Sequence, residues 1–348
     1  MPELAFAIPG DLGARTGGYG YDRRLLALLP AQGIRPRLIA WPDGFPFPDA
    51  QAREAAASSL AALAAGSLVL IDGLAFGALP DLAEQEGRRL RLIALVHHPL
   101  ALESGLAAES QRLLLESERQ ALRHACGVVA TSVTTAECLV ADYGVPRARI
   151  HVARPGTDPV QIPPRGARRD PPHLLSVGAV IPRKGYDLLI AALARQAGQG
   201  WQASIVGSLA RDPACVAALR HQIAAAGLQP RVALAGEVAD LAPYYAAADL
   251  FVLASRHEGY GMVLAEALQH GLPIIASRAG AIPELVPEQA GLLVPVEDEA
   301  ALAQALGRMH DASLRARYAA GAVRAAQSLP RWEDTARLVA DAVRALTA

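Results

Sequence analysis

Lysine is almost missing from this chain: of its 33 basic residues, 32 are arginine and the one lysine is Lys184. Charge of either sign is nearly cancelled, leaving a net charge of -1 over 348 residues. A nucleic-acid binder needs a strongly basic face, so this balance argues against that partner. Cysteine is scarce as well. Cys126, Cys138 and Cys215 stand at wide, unpaired spacings that suit neither a disulfide framework nor a zinc site, which points to a reducing compartment. No apolar run reaches the roughly 18 residues of a membrane span. The opening run Leu4–Ile8 is too short for a signal peptide and reads as a first strand. A soluble, cytoplasmic protein is expected.

Hydrophobic residues, by contrast, make up 52% of the chain, enough for two cores. The length suits two domains of roughly 150 to 200 residues each. Leu4–Ile8, Leu68–Ile71, Leu92–Val96 and Gly127–Ala130 are short apolar runs of the kind that form buried parallel strands, with Ile150–Val152 adding another. Asp22–Leu29, Ala50–Ala65 and Glu103–His124 carry apolar residues at helical spacing between them. The aperiodic, proline-rich stretch Ile162–His173 is the linker candidate. A second β/α series follows, with strands at Leu174–Val177, Ala203–Val206, Val232–Ala235, Leu250–Leu253, Pro273–Ala276 and Gly291–Val294. The expected fold is α/β, with two Rossmann-like domains facing across a cleft, residues 1–165 and 166–328, followed by a terminal helix over 329–348. Ligands in such sheets bind beyond the carboxyl ends of the strands.

One segment carries most of the chemistry. Glu258-Gly259-Tyr260-Gly261-Met262 follows a strand and opens a helix, with Glu266 just over one turn further on. The first amides of a helix have no internal partner and favour an anion. Two carboxylates flanking that anion suit a diphosphate held between two sets of hydroxyl groups, as in a nucleotide-sugar. Lys184 lies in Arg183-Lys184-Gly185 after another strand, and a compact ammonium suits a phosphate in a narrow site. His97 and His98 follow the strand Leu92–Val96, where a site residue belongs. A dinucleotide fingerprint would need G-x-G-x-x-G, which Gly17-Gly18-Tyr19-Gly20 does not complete.

Glu258-x7-Glu266 around the EGYGM core, with Gly271-Leu272-Pro273, Gly280 and Pro283-Glu284 behind it, resembles the donor-binding signature of retaining GT-B glycosyltransferases of family 4. The resemblance implies that Glu258 contacts hydroxyls of the transferred sugar and Glu266 those of the ribose. The amides of Gly259, Tyr260, Gly261, Met262 and Val263 would hold the sugar and the β-phosphate. Ser176-Val177-Gly178 with Arg183 and Lys184 resembles the loop that neutralises the diphosphate, although many relatives carry arginine where this chain has Ala179. Gly236-Glu237-Val238 resembles the nucleobase pocket, and Gly17-Gly18 the glycine pair that approaches donor and acceptor. The resemblance further implies that a histidine after the strand Leu92–Val96 contacts the transferred sugar, a place that suits His97 better than His98. Pro330–Leu346 matches a terminal helix that crosses back onto the first domain, with Trp332 as its packing anchor.

The implied activity is a metal-independent, retaining hexosyl transfer from a nucleotide-sugar, UDP-linked first and GDP-mannose second, to a glycan, lipid or small-molecule hydroxyl. No DxD-type carboxylate pair for a metal is apparent and no cofactor is expected, since the nucleotide-sugar is itself a substrate. A non-catalytic sugar-binding protein and a nucleotide-sugar epimerase are the alternatives. Arg112, Arg119 and Arg123 recur at seven and four residues near one helix face, a stripe that suits either peripheral contact with anionic lipid at the inner membrane or ordinary solvation.

Overall fold

The computed structural model describes residues 1–103, 105–160 and 171–346. It divides into two compact units, Met1–Gly156 with Pro330–Ala348, and Thr157–Leu329. The 165/166 boundary and most of the linker candidate, residues 162–170, lie outside the described residues.

The first unit is built on six parallel strands: β1 (Glu3–Pro9), β2 (Arg35–Trp41), β3 (Leu68–Asp72), β4 (Arg91–Val96), β5 (Gly127–Ala130) and β6 (Ile150–Val152), in the order β2-β1-β3-β4-β5-β6. Helices cover both faces, so the inner strands are apolar throughout; every residue of β3 and β5 is buried. The edge strand β2 is different. Of its sequence RPRLIAW only Trp41 is buried; Arg35 and Arg37 are exposed, and Pro36 can occupy an edge without donating to a ladder. The order reverses between β1 and β3, and the loops beyond their carboxyl ends therefore part there.

The terminal helix Trp332–Ala345 belongs to this unit. Trp332 is buried edge-on against Tyr21, ring centroids 5.9 Å apart. Thr335 Oγ1 donates to the Arg154 carbonyl at 2.7 Å. Ala336, Val339, Ala340 and Val343 bury the apolar side of the helix. The helix expected from Glu103 begins instead at Ala108 and runs to Arg123. On its outer face Glu109 and Glu116 are exposed beside Arg112 and Arg123, while Arg119 donates to the Asp142 carbonyl at 2.6 Å. That face is of mixed charge. Among the described residues, no helix is long and apolar enough to cross a membrane.

The second unit repeats the plan with β7 (His173–Val177), β8 (Gln202–Val206), β9 (Val232–Gly236), β10 (Leu250–Leu253), β11 (Ile274–Ser277) and β12 (Gly291–Val294), all parallel in the order β12-β11-β10-β7-β8-β9. Its two apolar layers lie on opposite faces of the sheet: Leu174, Ile205 and Val252 belong to one, Leu175, Val206 and Phe251 to the other. Here the order reverses between β7 and β10, the crevice position where doubly wound sheets bind ligands.

Candidate functional site

The loops that leave β7 and β10 meet at that reversal. The first runs through Gly178 to a single 3-10 turn, Pro182–Lys184. The second runs from Ser255 to Gly261. Lys184 Nζ lies 2.7 Å from Glu258 Oε1, and Arg183 Nη1 lies 3.5 Å from Glu258 Oε2 and 3.1 Å from the His257 carbonyl. The Ser255 hydroxyl also donates to Glu258 Oε1, at 2.7 Å. Burial alone would raise the Glu258 carboxyl, but the charges of Lys184 and Arg183 and the hydrogen bonds from Lys184 and Ser255 overcome it and hold the group down at about 2. Two cations thus meet one carboxylate, leaving a surplus of positive charge for an anion.

Two glycines make this packing possible. At Gly178, φ is 153° and an added Cβ would lie 2.9 Å from Lys184 Cε, so a side chain there would displace the lysine stem. At Gly280, φ is 53° and a Cβ would sit 2.2 Å from the Glu258 carbonyl oxygen, which also accepts from Ala281 N at 2.9 Å. Arg256 ties the two loops together from outside: its backbone N–H donates to the Arg183 carbonyl at 2.8 Å, and its guanidinium joins Asp187 at 2.7 Å and Glu297.

Beyond Glu258 the helix Met262–Gln269 starts at Gly261 with no side-chain cap and no acidic residue in its first turn. Its opening amides, from Met262 and Val263, therefore offer an anion site. Tyr260 contributes backbone only, since its ring is buried in the core. One turn on, Glu266 accepts a 2.8 Å hydrogen bond at Oε2 from the Tyr245 hydroxyl. Burial raises the Glu266 carboxyl while Tyr245 pulls it back down. The Tyr245 ring stacks on His270 at 4.7 Å and is itself buried, so it fixes the carboxylate rather than following it. Tyr245→Phe is expected to cost about 1 kcal/mol of stability and several-fold in nucleoside diphosphate affinity, measured by thermal melting and calorimetric titration with UDP. Glu237 and Val238 follow the carboxyl end of β9, with Glu237 exposed and Val238 packed on the core.

The remaining predicted residues lie in the first unit. Gly17 and Gly18 open the helix Gly17–Leu28, capped by Thr16 Oγ1 accepting from Tyr19 N at 3.2 Å. His97 follows β4, and its Nε2 is 3.2 Å from Asp22 Oδ1 and 3.3 Å from Asp72 Oδ2. Each of these three residues offers one ligand atom, all within 4.8 Å of one another, a spacing that could hold a cation. Burial opposes an imidazolium, yet Asp22 and Asp72 outweigh it and push His97 up to about 10. Burial and the Asp72 charge raise Asp22; burial also acts to raise Asp72, but the hydrogen bond and charge of His97, with hydrogen bonds from Asp22 and the Leu74 N–H, together overcome it and lower that carboxyl. His98 turns to Glu103 instead, at 3.4 Å.

Asp22, Asp72, Ser255 and Tyr245 were not singled out by sequence. Asp72 had a readable signal, because it ends the apolar run of β3 at the sheet's carboxyl edge. Asp22 had a weaker one, four residues after the glycine pair in a helix that buries it. Ser255 bonds Glu258 within one loop, three residues away, and Tyr245 reaches Glu266 across 21 residues; neither carries a signal of its own in the sequence.

Two doubly wound parallel sheets, each with candidate side chains at the reversal of strand order, are the architecture of the GT-B class of fold. Solved structures agree across the whole chain. Sucrose-phosphate synthase from Thermosynechococcus elongatus covers 99% of this chain and 99% of its own, with a TM-score of 0.81 at 24% identity. The Anabaena protein HepE, solved with UDP-glucose, covers 99% of both chains with a TM-score of 0.77 at 20% identity. In sequence, residues 171–312 match the family model for glycosyl transferases group 1 and residues 36–161 that for glycosyltransferase family 4. The D-inositol 3-phosphate glycosyltransferase of Xylanimonas cellulosilytica is 33% identical over 69% of this chain, which spans 62% of that relative's length. The chain belongs to glycosyltransferase family 4.

Proposed function

We propose that the protein transfers a hexose from a nucleotide-sugar, a UDP-sugar in the first instance, to an acceptor hydroxyl with retention of configuration. The observation that carries this reading is the Lys184–Glu258 pair, 2.7 Å apart, set beside an uncapped helix start. That arrangement supplies a carboxylate for sugar hydroxyls, cations for a diphosphate and amides between them. The UDP-glucose in the HepE structure favours UDP over other nucleotides. Glu266, held by Tyr245, is placed to accept from the ribose hydroxyls one turn further along the same helix.

In this mechanism the bond between the anomeric carbon and the phosphate oxygen breaks, and the electron pair leaves with the diphosphate. Lys184, Arg183 and the amides of Met262 and Val263 stabilise that developing charge as fixed donors, with no metal required. The acceptor oxygen bonds to the anomeric carbon on the face the phosphate leaves, and its proton passes to the departing phosphate oxygen. Glu258 orients the sugar and opposes the positive charge growing on its ring; it forms no covalent intermediate. Thermal melting against UDP-, GDP-, ADP- and dTDP-sugars tests the donor, since a ligand of the native state raises its stability. UDP-glucose is expected to raise the melting temperature and to yield UDP in the presence of acceptor hydroxyls. A rise confined to GDP-mannose would move the reading to the other donor, and no rise with any nucleotide-sugar would end it.

A further inference from the structure

Arg256 stands beside the two cations of the donor site, yet its guanidinium is occupied by other groups. Nε donates to Glu297 Oε1. Nη1 donates to the Pro182 carbonyl and, at 3.0 Å, to Asp187 Oδ1. Nη2 donates to Asp187 Oδ2 at 2.7 Å and to Glu297 Oε2 at 3.5 Å. Each N–H of the guanidinium thus has a partner within the second unit, and none is left over for a phosphate. We propose that Arg256 is a positioning residue: bridged to Asp187 and Glu297, it holds the turn Pro182–Lys184 in the conformation that presents Arg183 and Lys184 to a diphosphate. This rests on the function proposed above.

The turn needs support from outside itself. It is a single 3-10 turn, closed by the Gly185 N–H on the Pro182 carbonyl at 3.1 Å, and so short a piece has little stability of its own. Packing fixes it on either side. Before it, the Tyr186 hydroxyl donates to the Gly178 carbonyl at 2.9 Å. After it, Gly185 has a φ of 63°, and an added Cβ would lie 2.0 Å from the Ala254 carbonyl oxygen. Between those points Arg256 takes two successive carbonyls, Pro182 through its guanidinium and Arg183 through its own backbone N–H at 2.8 Å. With both oxygens on Arg256, Asp187 does not compete with a phosphate for the lysine three residues before it. These ion pairs are poorly placed for folding stability. The side chains of Asp187 and Glu297 are 55% and 54% exposed, and exposed pairs contribute little to it. Glu297 also has a φ of 62°, the one positive φ at a non-glycine among the described residues. Such a conformation costs energy and persists where the surroundings over-determine it. Glycine would fit that backbone better but brings no carboxylate to Arg256.

Calorimetric titration of UDP and of uridine into the full-length protein, with thermal melting of the same samples, tests this role. Arg256→Gln and Asp187→Asn should each lose about tenfold in UDP affinity and bind uridine as wild type does, with little change in melting temperature. Glu297→Gly removes the carboxylate and the left-handed strain together. It should weaken UDP binding several-fold without lowering the melting temperature. A merely structural set of ion pairs predicts lower melting temperatures with UDP binding retained, or UDP and uridine weakened alike, and either result would overturn the proposal. Should Arg256→Gln fail to fold, Asp187→Asn and Glu297→Gly, at exposed positions, decide by the same comparison. A wild type that bound UDP no better than uridine would end the donor reading and this role with it. A wild-type preference for UDP left intact by all three variants would end this role alone.

Discussion

Glu258→Gln is expected to lower the transfer rate from UDP-glucose on the order of 100-fold, the usual cost of one well-placed transition-state interaction, while UDP binds as well as before or more tightly. The two effects part company because Glu258 has two roles. In the ligand-free protein it neutralises Lys184 at 2.7 Å and Arg183 at 3.5 Å, and so competes with any phosphate for those cations. Glutamine is isosteric and still accepts from Ser255, but it releases both cations to the diphosphate. It no longer opposes the positive charge growing on the sugar ring, and the barrier rises. Steady-state kinetics and a UDP titration on one preparation separate these outcomes. Parallel loss of rate and UDP affinity would instead make Glu258 a scaffold for the loop.

The second large effect is expected at the only lysine. Lys184→Ala should destabilise the folded protein by about 2 kcal/mol, because the buried carboxylate loses its nearest charge-assisted hydrogen bond while Arg183 still offsets its charge. The pH dependence gives the sign. The Glu258 carboxyl is lowered from 4.5 to about 2, so its contribution to stability is fully present above 4.5 and is lost as pH falls through about 2. In Lys184→Ala the carboxyl moves back upward, leaving only Arg183 and Ser255 to hold it. Acid unfolding of the variant should therefore begin at higher pH than that of wild type, measured by circular dichroism. Lys184→Arg restores charge but not shape, because a planar guanidinium cannot follow the narrow path between Gly178 and Glu258. It should recover most of the stability and little of the transfer.

Much of this was legible in the sequence because it is local. The buried strands announce themselves as short apolar runs, and the helix start at Gly261 as glycines followed by periodic apolar residues. The place of Lys184 was legible for a different reason: one lysine among arginines stands out without any structure. What the sequence hides is convergence. Asp22 and His97 are 75 residues apart, and Tyr245 and Glu266 are 21 apart; no spacing rule links either pair. The edge strand β2 escaped because arginine and proline open it and most of its residues stay exposed, and the helix Ala312–Ala326 because an arginine–alanine sequence has little apolar period. Of the two readings of Arg112, Arg119 and Arg123, the exposed Glu109 and Glu116 on the same helix face favour ordinary solvation over contact with anionic lipid.

The central claim is that Lys184, Arg183 and the helix start beyond Gly261 form a diphosphate site. Calorimetric titration of UDP and of uridine into wild type and Lys184→Ala tests it most directly. Wild type should bind UDP about 100-fold more tightly than uridine, and Lys184→Ala should lose at least about tenfold of that advantage, with charge-assisted hydrogen bonds supplying the difference. Equal binding of UDP and uridine by wild type, or an advantage untouched by removal of the lysine, would contradict it.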